Sequence, residues 1–462
     1  MVAGDTRSTE RLSELRARVT GRAEADGLRL VRFLYCDLDG VIRGKATGLS
    51  RLGERLETGI GLTVAMQAFS MLDHLADVEG MGPVGEIRLV PDPETFVVAP
   101  YAPHVGLLLV DMLDQERRPY EADGRHFLRR MTERAARLGL DIVAAFEPEW
   151  TLARRSPAGE WEPFDDSLCF SSDGMTAAAD VIDDVVAALE GQGLPIEQSY
   201  PELGWGQQEL SIRHAAALRA ADNHLLYRET VRAVAHRRGL RASFAPKPWP
   251  GQPGNGCHLH LSAWDAHGTN RFAEPGAPHG LSALGLHFMA GVLDHLPGLL
   301  GLTCPSVNSY RRLQPQTWAS AYRAWGPDNR EAALRVASTF RGQEAESANV
   351  ELKACDSSSN PYLALGGVIA AGLDGVERGL EPPPAVTVDP HALDDAGRAA
   401  IGATRHPGSL AEAIRHLRED RVLMDALGER LATSYIAVKE SDIAGFGAED
   451  ESFEYAAHRF RY

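Results

Sequence analysis

Acidic and imidazole side chains recur in this chain at a spacing of two. Glu147 and Glu149 stand in FEPEW, His258 and His260 in GCHLHLS, and Glu351 and Lys353 in VELKAC. Alternate side chains of a strand share a face. Each pair therefore points one way and the residues between point the other. Over Cys257 to Trp264 the face of His258, His260 and Ser262 is polar, and that of Leu259, Leu261 and Ala263 is apolar. The stretch before it, Pro248 to Gly256, is too rich in Pro and Gly for a helix or a central strand. It reads as a loop whose backbone comes close to a ligand. His-x-His after such a loop fits a metal or phosphate site; alone, it fits equally well a half-buried strand with two solvent-facing histidines.

Two further acids, Glu202 and Glu209, stand in PELGWGQQE, with Glu197 just upstream. Taken singly, Glu147, Glu149 and Glu202 read as separate surface acids. If the strands belong to one sheet and show one face, they build a polar wall. Four or five carboxylates converging there cannot all stay ionised without cations, and two or three divalent ions would neutralise them. A donor set of carboxylate oxygen with one imidazole suits Mg²⁺ or Mn²⁺ better than zinc, and such ions commonly hold the phosphates of a nucleotide. The segment Asn308 to Val336 adds Arg311, Arg312, Arg323, Arg330 and Arg335. Their planar forks match carboxylate and phosphate oxygens; Arg311 and Arg323 read as solvated helix residues.

The elements that must carry these residues follow from periodicity. A charged helix over Thr9 to Ala25, a hairpin turning at Asp39-Gly40, and short strands at Arg88 to Val90, Thr95 to Ala99 and Gly106 to Met112 give a small strand-dominated region. Helices are expected at Arg125 to Leu138, Ala177 to Glu190, Ala221 to His236, Leu281 to Leu300 and Asn360 to Arg378. Two more, Ser409 to Leu417 and Arg421 to Ser441, close the chain. Strands are expected at Asp141 to Leu152, Ala242 to Ala245, Cys257 to Trp264 and Val350 to Ala354. Ser306 to Val336 reads as mixed loop and helix. Pro148, inside a strand, marks an edge, bulge or distortion.

The 462 residues carry a net charge of -17, with 44% hydrophobic and 24% charged residues. That balance is ordinary for a globular protein and argues against a nucleic-acid partner or a membrane-surface role. The five cysteines lack C-x-x-C spacing, which predicts neither a zinc site nor a disulfide scaffold but a reducing compartment. The first residues are polar, unlike a secretory signal, and no run approaches the length of a membrane span. The expected location is cytoplasmic.

Six pieces in order resemble the glutamine synthetase superfamily over nearly the whole chain: FEPEW, PELGWGQQE, KP followed by GNGCHLH, NSYRRL, DNREAALRV and VELKACDSSSNPYLAL. The resemblance implies an α+β fold, with an N-terminal β-grasp domain over residues 1–112. A catalytic domain with a curved antiparallel sheet and helices would follow over 113–462. It implies a ring oligomer, usually a dodecamer of two hexamers, with active sites between subunits. The implied reaction phosphorylates the γ-carboxylate of L-glutamate from ATP, and a nitrogen nucleophile then attacks the acyl phosphate. By motif position, Glu149, Glu202 and Glu209 would hold one metal, and Glu147, His258 and Glu351 another. Glu197, His260, Ser262 and Arg335 would meet ATP. Gly254, Arg312 and Lys353 would meet the amino acid, and Arg330 and Arg335 would stabilise the phosphoryl group in flight.

The departures from the family pattern bear on the nucleophile. Ammonia-using members carry a Glu six residues after the Arg matched by Arg312; here that position is Trp318. A second carboxylate normally comes from an Asp-Gly-Ser-Ser element, and the corresponding GIGLTVAM from Gly59 has no Asp. Lys353 replaces an Arg, and Pro253 an Asn. The resemblance therefore points to a γ-glutamyl-amine ligase using a polyamine, ethanolamine or an alkylamine. The alternatives are an ammonia-dependent glutamine synthetase and a catalytically silent ring protein with a structural or regulatory role.

Overall fold

The computed structural model describes residues 4–462, with side chains from Glu10 onward. After the helix Gly4–Ala25, a six-stranded mixed sheet forms from the strands between Leu30 and Leu113. Its centre is a parallel pair, Leu30–Cys36 beside Val105–Leu113. Val31, Phe33, Leu108 and Val110 on this pair are buried against Leu52, Leu56, Ile87 and Leu89, a core separate from the main one.

The larger body is built on an eleven-stranded sheet whose spine is the 15-residue strand Asp141–Arg155. On one side it pairs antiparallel with Cys257–Trp264, which in turn pairs with Val350–Leu352. On the other side it pairs with Ala215–Ala216 at Val143 and Ala144 and with Gln207–Ile212 at Glu149 to Thr151, leaving a gap between. Pro148 falls in that gap. The Glu149 N–H donates to Gly256 O at 2.9 Å, so the N–H that Pro148 lacks would have pointed to the unpaired side. A proline is tolerated in a central strand because that position has no bond to lose.

Leu259, Leu261 and Ala263 are all within 2% of full burial and join the core with helix residues such as Leu225, Phe288 and Leu363. His258, His260 and Ser262 take the opposite face, as the alternation requires. Behind the sheet, the helices Ala283–Thr303 and Pro361–Arg378 pack backbone to backbone. A Cβ on Gly291 would lie 2.7 Å from the Gly375 nitrogen. The first of these helices corrects one sequence expectation. By length and composition it could cross a membrane, yet 67% of its most apolar window is buried in the protein.

Two other expectations are revised. The Arg-rich segment contains two parallel-paired strands, Tyr322–Pro327 and Ala332–Val336, rather than loop and helix alone. The long helix expected from Arg421 is broken at Gly428, whose φ of 83° no helix accepts; Arg421–Leu427 ends there and Glu429–Gly447 begins.

The hairpin tip of the small sheet plugs into the larger body. Asn360 Nδ2 donates to Asp37 O at 2.9 Å and Arg228 Nη2 to Gly40 O at 2.9 Å. Gly40, at φ 79°, leaves no room for a Cβ beside the Ser358 carbonyl. Lys439, 1% exposed, pairs with Asp39 and lies 3.5 Å from Asp442. Asp39 Oδ2 and Asp442 Oδ1 have no other partner. Removing the one cation from such a buried cluster strands two acids. Lys439→Met is therefore expected to destabilise the protein by about 3–5 kcal/mol, read as a lower urea midpoint at fixed protein concentration.

Candidate active site

Register brings the spaced pairs together. His258 lies opposite Glu147, and His260 opposite Glu351. Glu351 lies opposite Arg335, and Glu209 opposite Glu149. Antiparallel partners directly opposite have side chains on one face, so the acids, imidazoles and Arg335 form one wall. His258 Nδ1 is 3.1 Å from Glu351 Oε1 and 3.5 Å from Glu147 Oε2, and His258 Nε2 is 3.8 Å from Glu149 Oε1. His260 Nε2 is 3.4 Å from Glu147 Oε2 and 4.0 Å from Glu351 Oε1. One ligand atom each of Glu147, His260 and Glu351 falls within a 4.8 Å group. Both imidazoles thus border the acid pair that the resemblance assigned to His258.

Two cavities meet at this wall. The larger, ≈ 660 Å³, is lined by Glu147, Glu149, Glu202, Glu209, His258 and Glu351, the six residues of the expected metal sets. Gly254, Arg312, Trp318, Arg330, Arg335 and Lys353 also line it. The second, ≈ 560 Å³, holds Glu197, His260 and Ser262, with Trp264 and Phe340. Glu147 and His260 belong to both. Arg335, expected at the nucleotide, lies on the larger side. Arg311 and Arg323 stand away from both cavities, beside Glu454 at 3.1 Å and Asp294 at 3.6 Å respectively.

The charges are unevenly balanced. Burial works against ionising Glu147, but hydrogen bonds from His258 and His260 outweigh it and hold the group well below the usual carboxylate range. Glu351 is held low in the same way, by Lys353 and the two imidazoles against its burial. Its two oxygens are buried without a hydrogen bond of good geometry, although Arg335 Nη1 is 2.7 Å and Lys353 Nζ 3.5 Å away. Burial would lower His260, but hydrogen bonding to Glu147 and the charges of Glu351 and Glu147 push it up to about 9. At the other end of the wall, burial and the charge of Glu149 push Glu202 up to about 7. Burial and the charges of Glu147 and Glu149 push Glu209 up to about 10. Carboxyls held neutral by one another, beside a carboxylate with orphaned oxygens, are the signature of a missing cation. Hard oxygen donors with imidazole at the edge fit a divalent ion of the Mg²⁺ or Mn²⁺ type.

Several further contacts, to which the sequence assigns no role, complete the wall. Gln207 Nε2 donates to Glu149 Oε2 at 2.8 Å and to Gly254 O at 2.9 Å, clamping the loop to the wall. The Gly256 N–H donates to the same Glu149 oxygen at 2.9 Å. A Cβ on Gly256 would sit 2.8 Å from His258 Nε2 and 2.7 Å from Arg312 Nη2, so any side chain there would fill the site. The Tyr200 hydroxyl donates to Glu209. Arg312 is 3% exposed, and two of its N–H groups are taken by Cys355 O at 3.2 Å and Lys353 O at 3.1 Å.

Comparison with known proteins agrees with this geometry. Residues 121–458 match the glutamine synthetase catalytic domain, and residues 15–125 match the glutamine synthetase N-terminal domain. A gamma-glutamylpolyamine synthetase of Streptomyces coelicolor is 39% identical over 456 residues, covering 98% of this chain and 97% of its own. A glutamine synthetase of Halobacterium salinarum is 33% identical, covering 98% of each. A solved GmaS–ADP complex superposes with a TM-score of 0.82 at 30% identity, covering 95% of this chain and 98% of that one. With two domain matches in order and full-length relatives, the chain belongs to the glutamine synthetase family and is an ATP-dependent carbon–nitrogen ligase.

Proposed function

We propose that the protein joins L-glutamate to a primary amine, forming a γ-glutamyl amide with release of ADP and phosphate. The γ-carboxylate oxygen attacks the terminal phosphorus of ATP, and ADP leaves. The amine nitrogen then attacks the γ-glutamyl phosphate, and phosphate departs with loss of one proton. The observation that carries this reading is the loop Leu313 to Ser320. It bears no carboxylate and offers Trp318, 58% exposed, to the larger cavity. An aromatic face suits the alkyl part of an amine; to a compact, strongly hydrated ammonium ion it offers only a cation–π contact of about 0.5–1 kcal/mol. The sequence likeness to a gamma-glutamylpolyamine synthetase supports the same nucleophile class.

In this reading Glu149, Glu202 and Glu209 hold one ion and Glu147, His258 and Glu351 another. Two or three Mg²⁺ or Mn²⁺ ions occupy each site. When bound, the ions neutralise the phosphate oxygens and the developing charge. Glu197, His260 and Ser262 position the nucleotide in the smaller cavity; the likeness to a GmaS–ADP complex supports a nucleotide substrate, without saying where it sits. Arg312 keeps three of its five N–H groups for the glutamate α-carboxylate. Gly254 and Lys353 meet the same substrate. Arg330 and Arg335 reach the transferred phosphoryl group from the cavity side.

The site is open on one side: none of its lining residues precedes Val143. Phe170 and Leu203, both exposed, line the larger cavity, and the exposed Leu168 and Trp205 stand two residues from them in the chain. A ring of two stacked hexamers, with a second copy's small domain closing each site, accounts for both features. The five cysteines are free thiols, which favours a cytoplasmic setting.

Four outcomes test the reading. Across ammonium, ethylamine, ethanolamine and 1,4-diaminobutane, kcat/KM from phosphate release should be highest for an amine, with the amide confirmed by mass spectrometry. Equal use of ammonium at low millimolar concentration would favour glutamine synthetase instead. Trp318→Glu should shift preference toward ammonium. Glu149→Ala should lower turnover on the order of 10³-fold or more and leave the oligomer assembled in light scattering. The affinity for Mn²⁺ should rise with pH. Glu202 and Glu209 must lose protons from groups pushed up to about 7 and about 10, so Kd falls as pH rises, more steeply below about 7 than above it, with proton release visible in calorimetry.

A further inference from the structure

The loop that carries Trp318 is held in a conformation its own residues disfavour. Gln316, Trp318 and Ser320 have φ of 59°, 56° and 62°, while Thr317 and Ala319 between them stay on the ordinary side. Left-handed backbone at non-glycine residues persists only where the surroundings impose it. Two contacts from outside the loop do so. Ser320 Oγ lies 3.2 Å from His406 Nε2. Beneath the middle of the loop, Glu331 Oε1 accepts the Trp318 N–H at 2.9 Å, and the Gln316 N–H faces the same carboxylate. Alternation of left- and right-handed residues turns successive N–H groups toward one point, a backbone concavity that binds an anion. Here the anion is a side chain of the same protein.

Glu331 is itself fixed. Its N–H donates to Asn329 Oδ1 at 3.1 Å, and Asn329 Nδ2 donates to Val386 O at 2.9 Å. The next residue, Ala332, opens a strand paired with Tyr322, just beyond the loop. Arg330, immediately before it, lines the larger cavity. Glu331 is 7% exposed and its Oε2 has no hydrogen-bond partner. A buried carboxylate with an orphaned oxygen is a poor choice for stability alone. A negative charge is what converging amides select.

We infer that Glu331 is a positioning residue: it latches the Gln316–Ser320 loop and so sets the Trp318 ring at the mouth of the larger cavity. The latch stands whatever the nucleophile; its effect on the alkyl part of an amine rests on the function proposed above. Hydrogen exchange of residues 314–320 in the full-length protein reads the latch directly, and steady-state kinetics with 1,4-diaminobutane, ATP and glutamate read its consequence. Amide bonds to a charged acceptor are worth about tenfold or more in an equilibrium. In Glu331→Ala, exchange within the loop should rise by about that factor with the rest of the sheet unchanged. The amine KM should rise about tenfold, while those for ATP and glutamate stay within about twofold. Glu331→Gln keeps an acceptor oxygen without the charge and should fall between. Unchanged loop exchange in Glu331→Ala would overturn the inference. So would a loosened loop with an unmoved amine KM, or a common rise in all three KM values with exchange spread across the sheet. A wild-type enzyme that uses no amine, together with a loop loosened only by the substitution, would support the latch while sinking the amine reading.

Discussion

Strand register is the constraint on which everything else in this protein depends. Glu147, Glu149, His258, His260, Glu209 and Glu351 come from strands far apart in the chain, and they meet because each strand is paired at the right residue. Side chains alternate with a period of two, so a slip by one residue would turn Leu259 and Leu261 to the cavity and bury the histidines. The apolar face is what prevents this. Leu259 and Leu261 have no other place to go, because the helices Ala283–Thr303 and Pro361–Arg378 fill the space behind them. The polar wall is thus held in register by the hydrophobic residues that alternate with its members, and the helix glycines that bring the packing close act on the site at one remove.

The wall so assembled is not electrically self-sufficient. At one end Arg335, Lys353 and the two imidazoles approach Glu147 and Glu351, and both acids stay ionised. At the other end burial and the neighbouring acids dominate around Glu202 and Glu209, and each is pushed toward its neutral form. The gradient separates what the chain supplies from what it must take up. Protein cations stabilise the acids nearest the shared edge of the two cavities, and the remaining carboxylates keep donor oxygens that no protein cation neutralises. A wall balanced throughout by arginine and lysine would be more stable and would have no room for a metal.

How much of this could be read beforehand follows the same division. Glu147, Glu149, His258, His260, Glu351 and Lys353 are legible because a strand writes its face into every second residue. Gln207 and Gly256 stand within PELGWGQQE and GNGCHLH, yet their roles are not legible, because a glutamine that clamps a loop and a glycine that leaves space look like any others until the partner is known. The two strands around Arg330 are hidden because they are short and buried on both faces, where the period-two signal fails. Gly428 was passed over inside a helical run, since one glycine in such a pattern is usually tolerated and only its left-handed φ reveals the break. Glu331 was quoted within DNREAALRV without a role, because its partners are backbone amides and leave no mark in sequence. Pro148 was read as a disturbance and turned out to sit where the pairing itself lapses.

The choice of nucleophile comes down to which of two attractions is larger. A carboxylate on the loop would give a cation a charge-assisted hydrogen bond, worth about 1.5–3 kcal/mol. Trp318 withdraws that bond from every cationic nucleophile alike. What it returns scales with apolar surface, at roughly 0.8 kcal/mol for each methylene taken out of water. Ammonium has no methylene and recovers only the cation–π contact the ring offers any cation, about 0.5–1 kcal/mol. A chain of three or four methylenes recovers about 2–3 kcal/mol, enough to offset the missing charge. A Trp in place of an acid thus discriminates by alkyl length, provided the ring is held still. A ring on a free loop would lose much of that gain in ordering entropy, which is why the strained backbone beneath Trp318 belongs to the recognition rather than to the scaffold.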